Sequence, residues 1–424
     1  MRPVRKLSPP SLRRALKTLG PGLITGAADD DPSGIATYSQ AGAQFGYSML
    51  WTVVFTLPLM AAIQIVSARI GYVTRQGLAA NIKERFPRWV LLGVVGLLLA
   101  ANTLNIAADI AAMAEALRLL VGGSAHVYAL TFGLSCLVLQ VFLPYTTYVR
   151  WLKWLTMALL AYVAVVFSLR IDWAQVLLGV VWPRLSHAND ALLTVVAVFG
   201  TTISPYLFFW QAAQEMEEAG PQGVSPRGSA EVRRHLRRIK VDTIAGMTFS
   251  NLIAFFIILS TAATLHAAGV RDIQSSAQAA EALRPLAGDF TFLLFSVGII
   301  GTGMLAVPVL AGSAAYAVAE AAGWRGSLSL RLDRGEGRGF YGVIAVATLG
   351  GVALCFTPTD PVKELFWSAV VNGVIAVPIM VVMMLLASRR DTMGEHVIAV
   401  RLRCMGWLAT GAMATTVVAM FVTL

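Results

Sequence analysis

The sequence predicts an all-α polytopic membrane protein of about eleven transmembrane helices. Three observations carry that reading. Hydrophobic residues make up 57% of the 424-residue chain, charged residues 13%, and mean hydropathy is +0.70, which leaves too little polar surface to cover a soluble globule. Apolar runs of about 20 residues, the length that spans a bilayer, recur along the chain. Basic residues are also distributed asymmetrically. With the N-terminus inside and the sides alternating, the inner segments hold 26 of the 33 Lys and Arg, the outer segments hold five, and Arg69 and Arg118 fall within or at the edge of spans. That bias fixes a cytoplasmic N-terminus. It also accounts for the net charge of +10 as topology and leaves no case for a nucleic-acid partner.

The expected spans are about 20–45, 47–73, 89–121, 126–143, 152–169, 190–215, 241–266, 289–320, 340–356, 363–387 and 402–423. Residues 1–19 form a basic cytoplasmic arm suited to anionic headgroups. The first apolar segment is too long for a cleavable signal peptide and runs directly into another span. It cannot be one continuous helix. In Gly20 to Thr37, three consecutive carboxylates precede Pro32 and Gly34, so backbone groups near Asp31 lose their intrahelical partners. Irregular backbone at membrane depth survives only where protein buries it or water reaches it, and intramembrane carboxylates mark functional sites. Asp31 and its neighbours therefore read as a cation-binding break.

Span two carries Pro58 and, near its inner end, Arg69, which is expected to snorkel. Span three carries Asp109 near mid-depth, with Glu115 and Arg118 spaced to pair on one face. Spans four and five read as scaffold, joined by Pro144 to Tyr148, with Trp151 and Trp154 at interfacial height. Residues 170–189 read as an outer surface loop. Span six breaks again at Ser204-Pro205, beside Thr201 and Thr202, whose hydroxyls can satisfy freed backbone groups. Breaks in the first and sixth spans are breaks in the leading members of two five-helix halves, and this pairing points to a transporter's midplane site. The halves are taken as 20–170 and 190–387, with 388–424 a loop and a peripheral eleventh helix.

Gln211 to Glu218 continue span six inward. Glu215, Glu217 and Glu218 form either a cation-drawing vestibule or a solvated helix end facing the basic cluster at 233–238, and the second explanation is the better one. Span seven has Asp242 at its inner boundary and Ser250-Asn251 deeper. Residues 267–288 are long enough for an outer amphipathic helix. Span eight is rich in small residues that permit close packing. The Gly-rich turn 333–338 lacks the strand-to-helix setting of a phosphate loop. In span ten, Asn372 offers either an oxygen ligand or a helix–helix hydrogen bond. The five histidines fall in loops or at span ends and the three cysteines are far apart, so no catalytic, His-metal or disulfide framework emerges. The chain does not read as an enzyme.

Asp31-Pro32-Ser33-Gly34, set within Gly-Pro-Gly-Leu-Ile-Thr-Gly-Ala, and Ser204-Pro205-Tyr206 resemble the two broken-helix motifs of the Nramp family of divalent-metal transporters. The eleven-span layout extends the likeness over nearly the whole chain. The resemblance implies a LeuT-type fold of two inverted five-helix repeats and alternating access to a metal at mid-depth. It implies Asp31 as principal ligand, helped by the carbonyls of Ala28 and Thr201. Asp30, Gly34, Tyr206, Gln211, Asn372 and Asp109 are then surrounding or pathway positions.

Two departures from the family motifs set the expected substrate. Gly34 stands where the family has asparagine, and Ser204 and Tyr206 stand where it has methionine and histidine, so Ser204 brings a hydroxyl ligand in place of a thioether. Oxygen donors suit Mg²⁺, Ca²⁺ and Mn²⁺, and the lost side chains leave room for the waters that Mg²⁺ keeps. The pattern is similar to the Nramp-related magnesium transporters. The family's acidic pair in span three is met by Asp109 but not by Ala112, and a phenol does not titrate near neutrality, so uncoupled transport is expected. The adjacent Asp29, Asp30 and Asp31 argue for an exchangeable proton instead; alternatively, Asp29 and Asp30 face water or cap the half-helix. The expected function is Mg²⁺ import, with Mn²⁺ second, across the inner membrane, with no resident cofactor. A proton-coupled Mn²⁺/Fe²⁺ symporter and an organic-solute symporter of the same fold are the alternatives.

Overall fold

The computed structural model describes residues 21–143, 157–183, 188–220, 229–330, 336–357 and 360–423. The basic arm, the 144–148 turn with Trp151 and Trp154, His187 and the first half of the Gly-rich 333–338 turn lie outside them. Among the described residues all regular structure is helical. Eight segments are long and apolar enough to cross a membrane, and Met157–Ser168 and Arg338–Leu354 are shorter apolar helices. This is a multi-span membrane protein.

The first span divides into α1 (Pro21–Asp29) and α2 (Pro32–Phe45). Gly46, at φ +59°, ends α2, a conformation that a side chain disfavours. The chain turns there into α3 (Leu50–Thr74), then α4 (Leu78–Arg85), α5 (Arg88–Val121), α6 (Ala125–Phe142), α7 (Leu160–Ser168) and α8 (Trp173–Val181). The sixth span divides into α9 (Ala188–Thr202) and α10 (Pro205–Ala219). There follow α11 (Ser229–Thr261), α12 (Thr291–Ala322), α13 (Arg338–Leu354), α14 (Pro361–Ser388) and α15 (Val400–Thr423).

Contacts between helices give their directions. α11 lies along α1 and α2 and runs the same way: Asp242 meets Gly22, Gly246 meets Gly26, Ser250 meets Asp29 and Asp30, and Ile258 meets Gly42. α3 runs the opposite way, because the Val53 carbonyl accepts from Asn251 Nδ2 at 2.6 Å while Tyr72 stacks on His235. α10 follows α3, with Ser67 Oγ donating to the Phe208 carbonyl at 2.5 Å and Gly71 against the backbone of Ala212. The two broken helices therefore run antiparallel. On the far side, Asn102 Nδ2 donates to the Leu310 carbonyl at 2.8 Å and Ser296 Oγ to the Ala116 carbonyl at 2.8 Å, which sets α5 antiparallel to α12.

Several expectations need correction. Residues 170–189 contain α8, because Asp172 accepts from the amides of Ala174 and Gln175 at 3.0 and 3.3 Å and starts a helix. Residues 267–288 do hold the helix they have room for: Ser276–Ala280, Glu281–Leu283 and Arg284–Ala287 follow one another as one helical run, tighter in its middle, and Ala280, Ala282 and Leu283 pack into the core. α11 begins at Ser229, about three turns before the expected span. Arg69 does not snorkel freely but donates to the His396 carbonyl at 3.1 Å. Glu115 and Arg118 pair as expected, at 2.6 Å.

α1 depends on α11 for its position. The Gly22 amide donates to Asp242 Oδ2 at 2.8 Å, so a carboxylate from another helix satisfies a first-turn amide and complements the helix dipole. One turn later a Cβ on Gly26 would overlap the backbone of Gly246. Gly26→Val is expected to force the pair apart at a cost of about 1–3 kcal/mol or more, read as a lower thermal midpoint in detergent.

Candidate functional site

The two breaks meet. Asp31, extended at φ −74° and ψ 169°, is the N-cap of α2: its Oδ1 accepts from the Gly34 amide at 2.7 Å and from Ser33 Oγ at 2.6 Å. Its Oδ2 lies 3.3 Å from Tyr206 Oη, and the same hydroxyl lies 3.1 Å from the Ala28 carbonyl. The phenol at the start of α10 therefore bridges the Ala28 carbonyl in the last turn of α1 and the carboxylate that caps α2. At the second break the Ser204 hydroxyl donates to the carbonyls of Thr201 at 2.6 Å and Gly200 at 3.1 Å. Prolines open both second halves because the missing N–H costs nothing in the first turn of a helix.

All of this is closed to water: Asp31 is 1% exposed and Tyr206 0%. Above the breaks, a recess of about 200 Å³ opens between α2, α9 and α14, lined by Ala36, Gln40, Gln44, Asp190, Asp272 and Lys363. Gln40 fastens the segment beside it, accepting from the Ile273 amide at 2.9 Å and donating to the Arg271 carbonyl at 3.2 Å. A larger recess of about 440 Å³ lies between α8 and the α2–α3 turn, away from the breaks.

The sequence-derived positions divide into three groups. Asp31, Ala28, Thr201, Ser204, Gly34 and Tyr206 are brought together. Ser204 and Thr201 are already bonded to each other, however, so the serine proton is committed to a backbone carbonyl that the break set free. Gly34 does not leave the room expected of it: a Cβ there would stand 3.1 Å from Thr201 Oγ1 and 3.3 Å from the Tyr38 ring, so side chains from both broken helices fill the space of the missing asparagine. Asp109, on α5, is buried, and neither of its oxygens has a hydrogen-bond partner among the described residues.

Asn372 and Gln211 are engaged by other helices. Asn372 Oδ1 accepts from Asn105 Nδ2 at 2.9 Å, which is the helix–helix bond. Gln211 sits about 9 Å further along α10 from its break, where its amide donates to Thr243 Oγ1 at 2.9 Å. Asp29 and Asp30 neither face water nor cap the half-helix. They are 0% and 3% exposed, and the Ser250 hydroxyl lies 2.7 Å from Asp29 Oδ2 and 3.0 Å from Asp30 Oδ1. A buried carboxylate needs such a partner. Ser250, Asn105 and Tyr38 are the site residues that sequence reasoning missed. Polar residues inside apolar spans were the available signal for the first two.

Antiparallel broken helices joined at mid-chain breaks inside a multi-span bundle define a helical membrane protein of the LeuT-type fold. Residues 22–423 match the family described as Nramp, natural resistance-associated macrophage protein-like, and the chain belongs to that family. It is 29% identical over 410 residues to the divalent metal cation transporter MntH of Deinococcus radiodurans, covering 94% of this chain and 88% of the relative. A structure of the Eremococcus coleocola manganese transporter superposes with a TM-score of 0.76 at 18% identity, over 98% of this chain and 89% of that one. Mhp1, a nucleobase-cation-symport-1 family transporter, superposes at 0.57 and 14% identity, over 95% and 92%. These two likenesses concern the fold.

Removing the Tyr206 hydroxyl takes away the one proton shared by Ala28 O and Asp31 Oδ2, at about 1–3 kcal/mol. Tyr206→Phe is expected to lower the thermal midpoint in detergent, because the bridge between the two broken helices is lost.

Proposed function

We propose that this protein imports divalent metal cations by alternating access, Mg²⁺ first and Mn²⁺ second, through a site where the two broken helices meet. The observation that carries the reading is the donor set: Asp31 Oδ2, the carbonyls of Ala28 and Thr201, and the hydroxyls of Ser204 and Tyr206 are all oxygen. Such a set suits hard cations, and Mg²⁺ in particular takes a carboxylate and keeps several waters. Asp31 Oδ1 is held by the cap, so Oδ2 is the oxygen offered to metal. Tyr206 Oη stands between it and the Ala28 carbonyl, and an arriving ion displaces the phenol or turns it from donor to ligand. Asp190 and Asp272 draw cations to the outer recess. The N-terminus lies in the cytoplasm of a cell whose inner membrane holds the protein, on the side of the basic excess.

Family membership and a relative named as a divalent metal cation transporter support the metal substrate. They fit a second reading equally well, a proton-coupled Mn²⁺/Fe²⁺ symporter, for which Asp109, buried without a hydrogen-bond partner among the described residues, is the supporting observation. An organic-solute symporter is a poorer fit, because three carboxylates at the break repel an anionic substrate group.

Influx of Mg²⁺ and Mn²⁺ into proteoliposomes, with an internal pH dye, separates the readings. Mg²⁺ entry without acidification is expected, as is its fall to background in Asp31→Ala, because losing a buried charged partner costs about 3–5 kcal/mol. Mn²⁺ entry with acidification and no Mg²⁺ flux would establish the symporter, and undiminished flux in folded Asp31→Ala would remove the site.

A further inference from the structure

A second group of metal-ligating side chains lies at the inner end of α10, about 15 Å along the helix from its break. Two helices each present a pair three residues apart, Glu215 and Glu218 from α10 and His235 and Arg238 from α11. One ligand atom each from Glu215, Glu218 and His235 fall within 4.8 Å of one another. Glu215 is fully buried, its Oε2 is 3.1 Å from His235 Nε2, and its Oε1 has no hydrogen-bond partner among the described residues. The imidazole is held flat against Tyr72 of α3, with centroids 3.8 Å apart and planes 6° apart.

The middle of this group is occupied by a cation belonging to the protein itself. Arg238 Nη2 hydrogen-bonds Glu218, lies 3.9 Å from Glu215 Oε2 and 3.4 Å from His235 Nε2. One guanidinium faces two carboxylates, so with a neutral imidazole the group keeps a net negative charge beside a buried glutamate. Its single imidazole nitrogen also cannot both donate to Glu215 and accept from Arg238. A divalent cation resolves both conflicts, since it takes the nitrogen lone pair and balances both carboxylates. The Arg238 side chain is 35% exposed and has room to swing away.

We propose that Glu215, Glu218 and His235 form a regulatory site for a borderline first-row divalent cation, with the Arg238 guanidinium as a tethered competitor that fills it when metal is scarce. The imidazole selects borderline ions over Mg²⁺. Bound metal ties the inner half of the second broken helix to α11, which also holds α1, and so restrains the movement that would release cargo. The regulatory role and its cytoplasmic location rest on the transport reading above; the binding site itself does not.

The test is equilibrium binding of Zn²⁺ to full-length Asp31→Asn protein in detergent, with the transport site disabled, so that failure of the transport reading leaves the assay intact. One equivalent is expected to bind. His235→Ala, or His235→Gln if the alanine variant does not fold, should weaken it at least about tenfold. Arg238→Gln should tighten it by about tenfold, because it removes the competitor; a purely structural arginine would give no gain. Absence of binding in Asp31→Asn, binding indifferent to His235, or unchanged or weaker binding in folded Arg238→Gln would each overturn the proposal.

Discussion

Backbone that leaves the helix inside a membrane must be buried in protein or reached by water, and here each interruption caps itself while Tyr206 ties one to the other. Asp31 closes the first turn of α2 with one carboxylate oxygen, Ser204 closes the carbonyls left by α9, and Tyr206 of one broken helix reaches the Ala28 carbonyl and the remaining carboxylate oxygen of the other. The crossing of the broken helices is therefore held by the same atoms that the proposed site would offer to an ion.

The surrounding bundle holds this arrangement under electrostatic tension. Asp29, Asp30, Asp31 and Asp109 are all buried, and the partners seen for the first three are amides and hydroxyls. Such partners orient carboxylates without neutralising them. The Ser250 hydroxyl, shared between Asp29 and Asp30, and the Asp242 carboxylate at the start of α1 also make α11 the element that positions the first break. Closure of the glycine crossing at Gly26 and Gly246 makes that positioning possible.

Much of this was legible in the sequence because it is local. Pro32, Gly34 and Pro205 announce interrupted helices within a few residues, and apolar runs with basic inner flanks announce the spans. The partners were not legible, since they join residues some 200 positions apart: nothing near Ser250 indicates that it lies between two aspartates, and nothing near Asn372 chooses Asn105 over an ion. Gly34 misled for the same reason. A missing side chain reads as space along one helix, but Thr201 and Tyr38 close it. Glu215 reads as a solvated helix end until α11 is found to begin early enough to bury it. Short helices such as Trp173–Val181 were hidden because a cap and nine residues resemble a loop when spans are sought by length.

The most direct test of the account is the anomalous scattering of Mn²⁺ in crystals of the wild-type protein. A peak at about 2.0–2.4 Å from Asp31 Oδ2 and the Ala28 carbonyl, with the Tyr206 hydroxyl displaced from between them or bonded to the ion, is the result predicted. A peak elsewhere, with the hydroxyl still bridging carboxylate and carbonyl, would contradict it.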